Sequence, residues 1–454
     1  MTAGRARVRL SPFIAPSGRR RHVGMLERRR SAIAAGALIV LVSMALAVAA
    51  GVPDRPSFLV PAGRQGFPGW LAGPLAGAGP ELTPAGFSVL VLIMCAAYAT
   101  VLVVADAVRP AWAVAAVLGA HLALALSAPI LSADVFGYIG YARLGAVHGL
   151  DPYLHSADAA PLDPVHPFVG WKGLPSPYGP LFTLASYALA PLGLPASLWT
   201  LKAIVAASAL ACVALVAALA ERLARPPVAA ALFVGLNPLA LVWGLGGAHN
   251  DALVTLLVLT AIQVALAERE RAAAALLVGA AAVKATAGLV LPFMVLGARR
   301  PPRALVAAAL AALALGALAL AVFRSGALGY LGVLADQGGL VSRHAIPHDI
   351  ARLLGLADFA GGRYTLAPAV RLVALAGLVG ALAVLAVGVW RGGDWIAAAG
   401  WATLALLVTT TFLLPWYVVW LLPLAALADS RWLRAGTLAL CAFIVITRLP
   451  LLAG

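Results

Sequence analysis

Residues 132–141 read Ser-Ala-Asp-Val-Phe-Gly-Tyr-Ile-Gly-Tyr, directly after an apolar run. Wound as a helix, this stretch sets Asp134, Tyr138 and Tyr141 at i, i+4 and i+7, on one face. A carboxylate just past the end of an apolar span reaches the membrane surface while staying partly desolvated. Desolvation raises a carboxyl pKa and suits the group to act as a general base. The same pattern also fits a plain interfacial helix, with an acidic first turn and tyrosines at headgroup depth.

A second cluster, Gly246-Gly247-Ala248-His249-Asn250-Asp251, follows Asn237-Pro238-Leu239 and joins one outgoing span to one returning span. Glycine gives a tight turn. The three adjacent functional groups His249, Asn250 and Asp251 exceed what a connector needs, and at membrane depth they require partners. Lys284 lies within Ala281-Ala282-Val283-Lys284-Ala285-Thr286-Ala287. An intramembrane lysine marks a candidate site for a lipid phosphate, or a partner for an external carboxylate. Gly149-Leu150-Asp151-Pro152-Tyr153 and Ser176-Pro177-Tyr178-Gly179-Pro180-Leu181-Phe182 are proline-aromatic turns that fix backbone shape, with Tyr153 and Tyr178 as candidate sugar or lipid contacts. The run from Val341 to Asp349 carries Arg343, His344, His348 and Asp349. Its spacing matches no closed zinc set, so no metal is assigned, and Arg343 reads as a phosphate or sugar ligand. Leu414-Pro415-Trp416-Tyr417 reads as interfacial anchoring at the end of a late span, beside the site.

The elements that must position these residues are membrane helices. Of 454 residues 63% are hydrophobic and only 11% charged, where a soluble domain carries about 25%. Apolar runs of about 17–25 residues recur along the chain, each long enough for a hydrocarbon core of roughly 30 Å. The net charge of +15 does not point to nucleic acid. The basic residues collect in short loops between apolar runs: Arg28-Arg29-Arg30, Arg222 with Arg225, Arg269 with Arg271, and Arg299-Arg300 with Arg303. That placement orients a membrane protein. Cys95, Cys212 and Cys441 each fall within an apolar run and read as small buried hydrophobes.

Residues 1–30 read as a basic cytoplasmic tail and 31–454 as a single membrane domain. The run 31–52 is an uncleaved first span, too long for a signal-peptide core. Spans are expected near 85–105, 111–128, 196–220, 228–245, 251–267, 304–323, 366–390, 395–412, 416–428 and 435–450. Two apolar stretches, 181–194 and 272–298, are not single crossings, because one crossing each would strand arginines on the outer side. The first reads as a re-entrant or interfacial helix, the second as a hairpin of two short helices with Lys284 near its turn. Such pieces need a cover of protein or a wet cavity. Large external loops then cover about 129–195 and 324–365. No fixed-period repeat or transporter-like inverted pair is visible.

In chain order the motifs are an acidic residue after an exiting span, Gly-Leu-Asp-Pro-Tyr, Ser-Pro-Tyr-Gly-Pro-Leu-Phe, Asn-Pro-Leu, Gly-Gly-Ala-His-Asn-Asp-Ala-Leu, Val-Lys-Ala and Pro-Trp-Tyr. This order resembles the polyprenol-phosphomannose-dependent α-1,6-mannosyltransferases of actinobacteria, in the GT-C superfamily, over about 131–424. The resemblance implies an all-α polytopic membrane enzyme, a GT-C-like bundle of about 11–13 transmembrane helices with its active site in extracytoplasmic loops. It implies multi-pass placement in the inner (plasma) membrane, a polyprenyl-phosphate-mannose donor, a glycolipid or lipoglycan acceptor and an inverting displacement. Asp134 takes the role of base, Asp251 is the second acidic motif, and Lys284 and Arg343 would stabilise the leaving phosphate. His249, Asn250, Asp251 and Tyr138 would hold hydroxyls. No nucleotide fingerprint is present, no cofactor is assigned, a divalent cation is left open, and no oligomeric state follows. The alternatives are another polyprenyl-phosphate-sugar-dependent transferase, or a flippase for a lipid-linked sugar. A flippase predicts charges in mid-span, whereas these sit at the rim.

Overall fold

In hydrocarbon every backbone polar group must be satisfied within its own segment, so an apolar chain of this length has to fold as helices. The computed structural model describes residues 18–451 apart from 62–65, 78 and 361; residues 1–17 of the basic tail lie outside the described residues. The helices are α1 Gly18–Ala50, α2 Gly69–Ala72, α3 Pro84–Val103, α4 Pro110–Ala125, α5 Asp134–Ala146, α6 Pro180–Ser186, α7 Gly193–Arg222, α8 Pro227–Gly235 and α9 Asp251–Leu266. They continue with α10 Glu270–Val283, α11 Leu291–Leu296, α12 Pro301–Phe323, α13 Gly326–Gly338, α14 Ile346–Leu353, α15 Pro368–Trp390, α16 Trp395–Thr409, α17 Val418–Leu427 and α18 Arg431–Arg448. Strands β1 Ala357–Ala360 and β2 Arg363–Leu366 form one antiparallel hairpin.

The chain is an all-α polytopic membrane protein. Among the described residues, five helical stretches are long and apolar enough to cross a membrane: Gly24–Ala50, Pro84–Val103, Pro180–Arg222, Pro301–Phe323 and Pro368–Trp390. Five shorter apolar helices pack among them. Only 11% and 6% of the apolar windows in α12 and α15 are buried, so these two helices face lipid. Starts are set by local chemistry. Proline opens α3, α4, α6, α8, α12 and α15, where its missing N–H costs nothing. Thr83, Asp394 and Ser430 cap α3, α16 and α18 through side-chain oxygens. The Ser430 cap starts α18 four residues before the apolar run that marks it in sequence.

Both stretches judged not to be single crossings are irregular. Residues 181–194 fold as the seven-residue α6, a 3-10 turn Tyr187–Leu192, and the start of α7. Residues 272–298 fold as α10, a break, a 3-10 turn Ala285–Val290 and α11, with Lys284 in extended backbone at the break. The two are pinned together. Gly179 N–H donates to Val283 O at 3.0 Å, in place of a helix bond that the break removes. A Cβ on Gly179 would collide with the Ala282 carbonyl oxygen. The glycine is there for that close approach.

Two readings are corrected. Asn237 is not part of the surface turn: it is fully buried, and its Oδ1 accepts from Leu239 N at 3.0 Å and Ala240 N at 3.2 Å. It restarts the chain past Pro238 as a π-helix, Ala240–Leu245, which leads into the turn. The segment 324–365 is no plain loop, since it holds α13, α14 and the β hairpin. It is laced to the segment before Trp416: Ser342 N–H donates to Thr411 O at 3.0 Å, and Leu413 N–H donates to Ser342 Oγ at 3.1 Å. In the other large segment Asp163 accepts from Arg143 Nε at 2.9 and 3.0 Å, from Val165 N at 3.0 Å, and pairs with His148 at 2.7 Å. Burial pushes the Asp163 carboxyl up, but Arg143, the Val165 amide and His148 outweigh it and hold it below the usual carboxylate range.

Gly179→Ala is expected to destabilise the protein by about 1–3 kcal/mol, the cost of overpacking a tight contact. Thermal unfolding in detergent checks this, and a variant as stable as wild type would remove the pin from the account.

Candidate active site

The first turn of α5 projects Asp134 toward the segment between α8 and α9. Ser132 Oγ accepts from Asp134 N at 3.2 Å, so the helix begins at the carboxylate. The Tyr178 hydroxyl donates to Asp134 Oδ2 at 3.4 Å. His249 Nδ1 stands 3.3 Å from the same oxygen. The two groups are close but not aligned as a hydrogen bond, since neither ring nitrogen of His249 has an aligned partner among the described residues. The ring is stacked flat on Trp416, with centroids 3.6 Å apart and planes at 17°.

The turn that delivers His249 is tight. Ala248 has φ 55°, and a Cβ on Gly247 would press on the His249 ring at 2.8 Å. Asn250 N–H donates to the Tyr138 hydroxyl at 3.2 Å, and that hydroxyl reaches Asn250 Oδ1 at 3.5 Å. Tyr138 meets Tyr178 edge to face, with ring centroids 4.7 Å apart. The α5 face predicted from its spacing is therefore the face turned to the site.

Asp251 opens α9 and is fully buried. Its Oδ1 accepts from Lys284 Nζ at 2.7 Å and from Trp420 Nε1 at 2.6 Å. The Lys284 ammonium also lies 5.4 Å from the ring centroid of Tyr417 and 5.2 Å from that of Trp420. Those two rings are stacked, 4.4 Å apart. Together these contacts fix the direction of the Lys284 side chain.

Asp134 and Lys284 face one cavity of about 260 Å³, walled by Trp171, Tyr178, Trp416 and Trp420. Leu334 and Gln337 of α13 and Leu340 close another side. That is near the lower limit of ligand clefts, about 300–1,000 Å³. Of the residues singled out in the sequence, Asp134, Tyr141, Tyr178, Lys284, Trp416 and Tyr417 line the cavity, and Tyr138, His249, Asn250 and Asp251 support them from behind. Tyr153 is one step further off: its hydroxyl donates to Tyr178 O and meets Thr183 Oγ1, both at 2.9 Å, and so holds the Tyr178 turn. Arg343 is exposed and is not among the cavity-lining residues. His344, beside it, is 3.4 Å from Asp349, which also pairs with Arg352 at 3.6 Å. Among the described residues no group of three or more His, Cys, Asp or Glu side chains could hold a metal ion.

Reading the sequence missed Trp420, Trp171 and Thr286, all of which line the cavity. Trp416 and Trp420 stand four apart, a spacing that puts both indoles on one helical face. The expected rise in the Asp134 pKa is also corrected. Burial does push the carboxyl up, but contact with His249, the charge of Lys284 and the Tyr178 hydroxyl outweigh it, so the group titrates below its ordinary range. Asp251 is buried behind Lys284, so the site does not present the two flanking carboxylates of a glycoside hydrolase.

A family model described as alpha-(1→6)-mannopyranosyltransferase, N-terminal domain, matches residues 34–300. A second, the MptB C-terminal domain, matches residues 349–451. Alpha-(1→6)-mannopyranosyltransferase A of Mycobacterium tuberculosis is 31% identical over 354 residues, covering 72% of this chain and 67% of the relative. The protein of the same name from Corynebacterium glutamicum is 30% identical over 197 residues, covering 38% of this chain and 36% of its own. No solved structure matches the chain.

His249→Phe keeps a flat ring on Trp416 and removes the group that holds the Asp134 carboxyl down. Burial then dominates, so the pKa of Asp134 is expected to rise. With its carboxyl held below the ordinary range the folded wild type keeps Asp134 ionised, while the variant should protonate it at a higher pH than wild type does. Difference infrared titration, with Asp134→Asn as the blank, reads the shift; an unmoved carboxyl band would dismiss His249 as the cause.

Proposed function

The chain belongs to the alpha-(1→6)-mannopyranosyltransferase family, and from that premise we propose that it transfers mannose from a polyprenyl-phosphate mannose to a hydroxyl of a glycolipid or lipoglycan acceptor. The observation that carries this reading is one cavity shared by a carboxylate, Asp134, and an oriented ammonium, Lys284.

Asp134 takes the proton of the acceptor hydroxyl. The acceptor oxygen attacks the anomeric carbon from the face opposite the phosphate. The bond from that carbon to the phosphate oxygen breaks, and its electron pair leaves with polyprenyl phosphate. The configuration inverts, so a β-linked donor gives an α-mannoside. Negative charge grows on the departing phosphate, and Lys284 is the cation that faces it. Asp251 and Trp420 fix the lysine's position before any substrate arrives. The indole walls suit the apolar faces of a sugar ring and keep water from competing as acceptor.

Charge placement supports an outer-face site. The opposite end of the bundle carries the arginine pairs Arg28–Asp106 at 2.6 Å, Arg225–Asp429 at 3.0 Å and Arg299–Glu268 at 2.7 Å. Basic loops stay cytoplasmic. The site then opens to the outer face of the plasma membrane, where a lipid-linked donor serves in place of a nucleotide sugar.

Membranes containing the protein, given synthetic polyprenyl-phosphate mannose and a mannolipid acceptor, should form an α-1,6-linked product detectable by linkage analysis. Asp134→Asn should lower the rate by about 10²–10⁴, the span typical of general-base loss, with protein levels unchanged. Normal transfer by both Asp134→Asn and Asp134→Ala would refute the base.

A further inference from the structure

At the end of the bundle remote from Asp134, α1, α4 and the 3-10 turn Ala105–Ala107 surround a groove of about 570 Å³. Its lining changes character along its depth. Arg109 stands at the start of α4, Arg29 and Arg30 lie about three turns into α1, and the three form the basic rim of the groove. Ten residues further along α1, about 15 Å at helical rise, the wall is Val40 and Leu41. Between them Gly36 and Ala37 face Ala113 and Ala116. Small side chains bring the two helices into close contact there, a Cβ on Gly36 falling 3.3 Å from Ala116, and this contact forms the floor of the groove. Trp112 closes one flank and is half exposed.

The rim is unbalanced in charge. Among the described residues that line the groove, three are arginines and none is acidic. The nearby acid, Asp106, is already taken: Arg28 pairs with it at 2.6 Å and also donates to Val103 O at 3.0 Å. Arg29 Nε is buried with no hydrogen-bond partner among the described residues. A buried guanidinium N–H without an acceptor is costly, which makes an anionic oxygen at this point favourable.

A ligand that satisfies both zones has a phosphate at one end and hydrocarbon at the other. We propose that the groove binds an anionic phospholipid of the adjacent leaflet. Arg29, Arg30 and Arg109 hold its phosphodiester, and an acyl chain lies in the groove over the α1–α4 contact, along Gly36 and Val40. Guanidinium forks match phosphate oxygens, basic pockets between membrane helices select acidic headgroups, and an indole at headgroup depth suits the rim. A zwitterionic lipid fills the apolar zone but brings its own cation to the arginines. A free phosphate ester satisfies the arginines and leaves the apolar zone unfilled.

The test uses the full chain purified in detergent and supplied with phosphatidylglycerol, with phosphatidylcholine, or with glycerophosphoglycerol, which has the headgroup and no chains. Native mass spectrometry should show phosphatidylglycerol retained under activation that strips phosphatidylcholine, and the melting temperature should rise with phosphatidylglycerol alone. Arg30 and Arg109 are exposed, so replacing them leaves packing intact. Arg30→Gln/Arg109→Gln should lower phosphatidylglycerol retention about tenfold or more, as expected for two charge-assisted contacts. Its melting temperature in phosphatidylcholine should match wild type. Arg29→Gln should weaken retention on its own. Equal retention of the two lipids by wild type, undiminished retention by the double variant, or an equal rise in melting temperature with glycerophosphoglycerol would each overturn the proposal.

Discussion

The buried pair between Asp251 and Lys284 is the contact on which the candidate site depends. Neither charge is tolerable alone at that depth, since removing one partner of such a pair typically costs about 3–5 kcal/mol. The pair joins the first turn of α9 to the break after α10, and Trp420 ties α17 to the same oxygen. Three elements distant in sequence meet at one carboxylate. A hydrophobic replacement of similar volume would pack more cheaply. What the charged version adds is an ammonium with a fixed direction, open to the cavity on one side and neutralised on the other.

The backbone irregularities follow from the same requirement. A regular α10 continuing past residue 283 would carry Lys284 along the helix surface. Extended backbone at Lys284, supported by the Gly179 amide, turns the side chain toward Asp251 instead. On the facing side the π-helix after Pro238 and the strained Ala248 aim His249 at Asp134, and a 3-10 turn at Pro415–Tyr417 lays Trp416 beneath it. Irregular backbone is stable at membrane depth only under cover of protein or beside a polar cavity. Here the breaks converge on one place, and their exposed amides and carbonyls are paired across elements. Departures from helix of this kind mark functional positions.

Much of this was legible in the sequence because membrane folding leaves long-range signals in local text. Apolar length revealed spans, and arginine placement exposed 181–194 and 272–298 as irregular. The spacing of Asp134, Tyr138 and Tyr141 named the correct face of α5. What could not be read was pairing across elements. Nothing local says that His249 faces Asp134, that Trp420 reaches Asp251, or that Asn237 folds inward to restart a helix. In sequence Arg343 reads like Lys284 as a cation for the leaving phosphate, yet its segment is tied to Thr411 and Leu413 and leaves it outside the cavity. The sign of the Asp134 shift depended on those same unseen neighbours. Burial could be inferred, but the histidine, the lysine and the phenol that outweigh it could not.

That sign bears on how the proposed transfer divides its work. A carboxylate held below its ordinary range is ionised at every working pH, so none of the enzyme is lost to the protonated form. It is also a weaker base, and proton abstraction gains less from it than from a carboxylate tuned toward neutrality. The rate must then come more from the other end of the reaction coordinate. In a narrow cavity with indole walls, an ammonium fixed by Asp251 interacts with a leaving phosphate far more strongly than it would in water, and it needs no reorganisation at the moment of bond breaking. On this view Asp134 orients the acceptor and receives its proton late, as the attacking oxygen becomes acidic, while Lys284 supplies the larger share of stabilisation. The aromatic walls are part of that chemistry because they keep the dielectric low around the ammonium that faces the phosphate.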